Sequence, residues 1–271
     1  MEWIVLAAIG LVAGTIGALI GLGGGIIIVP SLLYLSEYTN LLNYVTPQIA
    51  VGTSTFIMIF TGLSSTLSYM KYKTVDYKSG FLFFAGSAPG VVLGAWTNKF
   101  LNVDTFYIYF GIFVIFMSLL LMVKDKLKPI SIKPKKENLR QYTDPEGKTW
   151  EYGYHPAAAI SISFVVGFIS GIFGIGGGSL MVPAMILLFL FPPHVAVATS
   201  MFMIFLTSLV NSTTHIVLGN VNWLYASALI PGAWIGARFG AFINQKTSSK
   251  AVVFLFRIIL FFIGLRLIFQ G

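Results

Sequence analysis

Apolar residues fall along this chain in blocks, and the lengths of the blocks predict its elements. Residues 3–20, 47–69, 79–96 and 105–123 each approach the ~20 apolar residues that a helix needs to cross the ~30 Å hydrocarbon core of a bilayer. Residues 156–173, 193–217, 223–239 and 251–269 do the same. Two further blocks, 26–35 and 179–191, are too short, since at about 1.5 Å per residue they reach little more than halfway. The pattern predicts an all-α polytopic membrane protein in which short or broken helices follow glycine-rich motifs.

The blocks repeat. Gly21-Leu22-Gly23-Gly24-Gly25, with Pro30 behind it, returns as Gly174-Ile175-Gly176-Gly177-Gly178 with Pro183. The run from Ala50 to Phe56, which holds Thr53-Ser54, returns from Ala196 to Phe202 with Thr199-Ser200. Pro89-Gly90 with Gly94-Ala95 returns as Pro231-Gly232 with Gly236-Ala237. Three matches in one order predict two pseudosymmetric repeats, residues 1–124 and 155–271, joined by a polar linker at 125–154.

The short blocks decide the topology. If they cross, each half has an odd number of crossings and the halves are inverted. If they dip in and return, each half has four spans and the halves are parallel. Lys71, Lys73 and Lys78 share the linker's side in both cases, whereas Lys246 and Lys250 join them only under inversion. Clustering of Lys and Arg on one side therefore favours inversion.

Three successive glycines cannot continue a helix cheaply, because each costs about 1 kcal/mol relative to alanine. Irregular backbone at membrane depth survives only inside protein or beside water. Breaks at matching places in two halves point to a transporter's binding site. A helix that starts at such a break aims free N–H groups and the positive end of its dipole at the site, which suits an anion. Gly23, Gly24, Gly25, Gly176, Gly177 and Gly178 are therefore candidate binding residues. The alternative role is close helix packing.

Thr53, Ser54, Thr199 and Ser200 are candidate hydroxyl donors. Each pair follows a proline, Pro47 or Pro193, suited to a helix's first turn, and lies about 9 Å further along the axis. Back-bonding to their own helix is the competing role. Gln48 and His194 occupy matching polar positions and join the candidate list. Asn211, His215, Arg238 and Arg257 occur in the second half alone. Arg238 suits snorkelling from a helix end and His215 an interfacial position.

Composition sharpens this picture. Of 271 residues, 56% are hydrophobic and 10% charged, far below the roughly one quarter charged that an ordinary soluble domain carries. Residues 1–20 lack a basic start and a small-residue cleavage site, so they read as a retained helix. The formal charge is +8, and eight of the seventeen Lys and Arg, from Lys124 to Lys148, lie in or beside the linker, diluted by Asp125, Glu137, Asp144, Glu146 and Glu151. That marks a cytoplasmic loop that can meet anionic lipid, and not a nucleic-acid surface. There is no cysteine, and all nine acidic residues fall outside the apolar blocks. Carboxylate-driven cation or proton transport therefore has no candidate residue. No cofactor or metal is expected, and nothing in the sequence specifies an oligomer.

The doubled Gly-Leu-Gly-Gly-Gly and Gly-Ile-Gly-Gly-Gly motifs with their downstream prolines, the later Thr-Ser pairs and the charged centre resemble the sulfite exporter TauE/SafE family, also described as toluene sulfonate uptake permeases. The resemblance covers almost the whole chain. It implies a multi-pass permease of the inner membrane that exports sulfite, a sulfonate such as sulfoacetate, or a related anion. It also implies seven or eight spans against the ten blocks above. The rival functions are a membrane scaffold or assembly protein without transport, and an intramembrane enzyme such as a hydrolase. The enzyme would need a nucleophile with a base, or a ligated metal, yet His194 and His215 have no carboxylate companion in an apolar block.

Overall fold

The computed structural model describes residues 2–102 apart from 40, 41 and 43, parts of 105–119, residues 139–143, 147 and 149–248 apart from 179, and isolated positions from 251 to 265. The expected blocks 105–123 and 251–269 lie partly outside the described residues, and Lys250 and Arg257 wholly so. The helices are α1 (Glu2–Ile20), α2 (Gly25–Tyr38), α3 (Pro47–Lys71) and α4 (Tyr77–Asn98), then α5 (Pro156–Phe173), α6 (Met181–Leu188), α7 (Pro193–Val217) and α8 (Trp223–Lys246). Six of them, all but α2 and α6, are long and apolar enough to span a bilayer. Large apolar side chains such as Leu11, Phe81, Leu93, Val165 and Phe239 stand exposed on them, as lipid-facing surfaces require.

Local chemistry sets the helix starts. Pro47 and Pro193 occupy the first turns of α3 and α7. Asp76 caps α4 by accepting from the Ser79 N–H, and Asn222 caps α8 by accepting from the Tyr225 N–H.

Small residues govern the packing. Along α8, a Cβ at Gly232, Gly236 or Gly240 would lie 2.0–2.2 Å from the carbonyl oxygens of Ala7, Leu11 and Thr15 on α1. Along α4, Gly86, Gly90 and Gly94 sit in the same way against Ile160, Phe164 and Phe168 of α5. Backbones this close are possible only without side chains between them, and dispersion contacts hold them where lipid removes the hydrophobic drive. The matching contacts pair Gly90 with Gly236 and Gly94 with Gly240. The motif match had paired Gly90 with Gly232, one helical turn away. A small residue every fourth position reads the same after sliding by one turn, which is why the sequence misplaced it.

The contacts also fix helix directions. The start of α3 lies beside the far end of α7, where Gly52 meets Asn220 and the Asn222 N–H donates to Thr53 Oγ1. The start of α7 lies beside the end of α3, where the Asp76 N–H donates to Thr199 Oγ1. Helices α3 and α7 are therefore antiparallel. Helix α8 turns back from α7 and so runs with α3, and α1 runs with α8. Because α1 and α3 enter from the same face, α2 must return the chain. The same reasoning on α4 and α5 makes α6 a returning segment, so the four-span parallel arrangement does not hold.

Part of the linker is ordered as a hairpin, which the polarity of 125–154 did not predict. Strands β1 (Arg140–Thr143) and β2 (Thr149–Tyr152) pair antiparallel. The sequence Asp-Pro-Glu-Gly between the strands is a turn signal, and Gly147 holds φ 83°. The hairpin docks on the bundle through Tyr152 and Tyr154, whose rings pack tilted or edge-on against Phe191, Phe189 and Phe83. Arg140 pairs with Asp76, whose carboxylate also accepts from the Ser79 hydroxyl. The Tyr152 hydroxyl is 3.4 Å from the same carboxylate. Burial, then the nearby carboxylate, pushes the Tyr152 phenol upward, so it stays a neutral donor. Replacing Asp76 with alanine removes a cap worth about 1 kcal/mol and strands a largely buried guanidinium at a cost of roughly 3 more. The thermal midpoint of the purified protein should fall by several degrees, and an unchanged midpoint would mean that this pair does not hold the hairpin.

Candidate functional site

Helix α1 ends when Gly21, Gly23 and Gly24 take φ values of 81°, 72° and 94°, angles that cost a side-chain-bearing residue about 1–2 kcal/mol. The Leu22 and Gly23 N–H groups fold back on the Gly17 carbonyl. Helix α5 ends likewise, with Gly174 and Gly176 at 70° and 77° and the Gly174 and Ile175 N–H groups on the Ser170 carbonyl. The chain then reverses into α2 and α6.

The two breaks touch. A Cβ at Gly25 would lie 2.4 Å from the Gly174 carbonyl oxygen. Cβ atoms at Gly23 and Gly176 would both strike Met58 Cε and Ile204 Cγ2. Met58 and Ile204 stand near the middles of α3 and α7, so the breaks meet near mid-depth. Everything around them is sealed: Met58, Ile204, Leu22, Ile175 and Ile26 are at most 2% exposed. In the first turn of α2, the N–H groups of Gly25 and Ile26 find no acceptor among the described residues. They carry the positive end of the α2 dipole. Neither α3 nor α7 holds a carboxylate to oppose it.

The repeated hydroxyls gather around the breaks with divided roles. Ser54 Oγ donates to the Gly174 carbonyl at 3.2 Å, and Ser200 Oγ donates to the Gly21 carbonyl at 2.8 Å. Each serine thus clamps the other half's break. Thr53 and Thr199 accept the Asn222 and Asp76 N–H groups, both at 3.0 Å, and a hydroxyl that accepts still has its proton to give. All four are fully buried.

Gln48 and His194 are not brought to the breaks. They lie in the first turns of α3 and α7, at opposite ends of the bundle. Gln48 Nε2 donates to the carbonyls of Asn98 and Leu101, and Asn98 Nδ2 donates to that of Ile172. His194 Nδ1 contacts Asn244 Oδ1 at 3.0 Å, and Asn244 Nδ2 donates to the Leu19 carbonyl. These chains tie helix ends together just before each break. Asn98 and Asn244 escaped the sequence reading, although they recur at matching positions. Gly178 packs on the Ser200 carbonyl and Gly177 on Thr207. Arg238 is exposed and lies over the Trp234 ring, in keeping with snorkelling. His215 is fully buried in the last turn of α7.

A membrane-protein family model, "Sulfite exporter TauE/SafE", matches residues 6–267. The chain is 57% identical over 271 residues to the "Probable membrane transporter protein YunE" of Bacillus subtilis, covering 100% of this chain and 99% of that protein. A "Probable membrane transporter protein" of Xylella fastidiosa is 27% identical over 241 residues, 89% of this chain and 84% of that one. The "Sulfite exporter TauE/SafE family protein 5" of Arabidopsis thaliana is 32% identical over 92 residues, 33% of this chain and 20% of that protein. No solved structure matches the chain. With a multi-pass helical bundle, paired glycine breaks at its centre and a family match from end to end, this membrane transporter belongs to the sulfite exporter TauE/SafE family.

Proposed function

We propose that the protein is a permease, without catalytic activity, that moves a small oxyanion across the plasma membrane, with sulfite or a sulfonate such as sulfoacetate as the substrate. The observation that carries this reading is the meeting of two glycine breaks in a sealed, carboxylate-free centre, with the first turn of α2 offering unpaired N–H groups there. An oxyanion with three oxygens can take donors from several directions. The N–H groups of Gly25 and Ile26 supply such donors without adding a fixed charge, so the anion is not held too tightly to leave. The family's name and the Arabidopsis relative's name support the sulfur oxyanion class.

The halves are read as an inverted duplication. Helices α3 and α7 pack antiparallel beside the breaks, and alternating access would swap the conformations of the two units around them. The linker face, with Lys71, Lys73, Lys78, Arg140 and Lys246, is taken as cytoplasmic. Export is the expected direction.

A ligand that binds the folded state alone raises its apparent stability. Purified protein is to be screened by thermal shift against sulfite, thiosulfate, sulfoacetate, taurine and short carboxylates. Sulfite or a sulfonate should raise the midpoint and zwitterionic taurine should not. A shift with carboxylates alone would overturn the substrate class.

A further inference from the structure

Ser208, Asn211, Ser212 and His215 share one face of the second half of α7, by their spacing of three and four residues. All four are buried to within 1%. Ser208 Oγ, Ser212 Oγ, His215 Nε2 and both amide atoms of Asn211 have no hydrogen-bond partner among the described residues. A buried amide with neither end bonded is costly. Buried polar atoms without protein partners are where ordered water or a ligand sits. Four such side chains in succession extend about 10 Å along the helix.

Their position gives the row a direction. It begins one residue beyond Thr207, on which Gly177 of the second break packs. It ends near the Leu218 cap of α7, close to Gly52, Thr53 and the face opposite the linker. The matching stretch of α3, which leads to the linker face, is closed. Gly62 packs on Phe205, Ser65 bonds the Thr61 carbonyl, and the Tyr69 hydroxyl bonds the Ala18 carbonyl. In that stretch Thr66 alone keeps an unpartnered hydroxyl.

We propose that Ser208, Asn211, Ser212 and His215 form a one-sided hydrated conduit that carries the anion between the glycine breaks and the face opposite the linker. The inference rests on the anion-permease reading and gives it a path. Hydroxyls and the Asn211 amide donate without charge. Asn220 Nδ2 lies 3.5 Å from His215 Nδ1, and donation there leaves the imidazole proton on Nε2, the atom without a partner. The conduit is closed in this sealed state and fills when the face opens.

The chain has no cysteine, so Ser208→Cys, Ser212→Cys, Ser65→Cys and the control Leu218→Cys each carry one thiol. Monodisperse variants in oriented vesicles are to be treated from either face with a membrane-impermeant, negatively charged methanethiosulfonate. The thiols at 208 and 212 should react from the face opposite the linker about tenfold faster than that at 65 does from either face, and excess sulfoacetate, which does not consume the reagent as sulfite would, should slow them. No reaction at 208 and 212 while the Leu218 control reacts would overturn the conduit, and so would equal reaction from the linker face. Reaction from the expected face, unaffected by sulfoacetate in a protein that carries no sulfoacetate, supports the conduit and removes sulfoacetate as its cargo.

Discussion

Leucine at both Gly24 and Gly177 is expected to lower sulfite flux about a hundredfold, the scale that a displacement near 1 Å can cost a positioned site, while the protein remains in the membrane. The two positions act differently. Gly24 holds φ 94°, and a Cβ there would lie 2.8 Å from the Ala13 carbonyl oxygen, so leucine must push the start of α2 away from α1. Gly177 has no such backbone strain, but its Cβ would meet Thr207 at 2.9 Å. A larger group there displaces the second break from α7. Insertion should survive, because it depends on the apolar spans and not on the turns between them. Flux from proteoliposomes, normalised to correctly inserted protein, measures the effect. Wild-type flux from the double variant would remove the site from the breaks.

Leucine at Gly94 or Gly232 should act on stability. These glycines sit in the seams α4–α5 and α1–α8, Gly232 against Ala7 and Leu11 early in α1 and Gly94 against Phe168 and Gly171 near the end of α5. A Cβ at Gly94 would lie 2.1 Å from the Phe168 carbonyl oxygen, and one at Gly232 would lie 2.0 Å from that of Ala7. The obstacle is backbone, so no rotamer change relieves it and the helices must separate along their length. Overpacking commonly costs 1–3 kcal/mol, and more where nothing yields, against a total stability of about 5–15 kcal/mol. Each variant should therefore be recovered mostly as aggregate. Gly219→Asn is the control: it holds φ 72° in open space, and asparagine tolerates that conformation. Monodisperse Gly94→Leu or Gly232→Leu protein with a wild-type midpoint would show that the seams are looser than the structure has them.

Much of this molecule was legible in its residues. Block length located the six spanning helices, Pro47 and Pro193 marked two helix starts, and the glycine motifs marked two real breaks. The inverted directions of α3 and α7 were weakly legible, since they rested on Lys246 and Lys250. Three features were not, for different physical reasons. The hairpin at 140–152 is held by Asp76, Phe83 and Phe191, which are remote in sequence, so local polarity hid it. The register of the fourth helices slipped by one turn because small residues every four positions match themselves. The division of labour among hydroxyls needed coordinates. Thr53 and Thr199 cap distant loops, and Ser54 and Ser200 clamp breaks across the halves, although the four are simply repeated polar residues in the sequence. Asn211 and His215 stood out as polar residues in an apolar block. Their isolation, and the company of Ser208 and Ser212, required a view of what surrounds them.

The central claim is that an oxyanion passes through the two meeting breaks. Its most direct test is uptake of labelled sulfite into sulfite-loaded proteoliposomes holding the purified wild-type protein, beside empty liposomes and the Gly24→Leu/Gly177→Leu variant. The account predicts saturable exchange in the wild type that unlabelled sulfite or sulfoacetate inhibits, with the variant near the level of empty liposomes. Wild-type exchange no faster than that of empty liposomes, for sulfite and sulfonates alike, would contradict it.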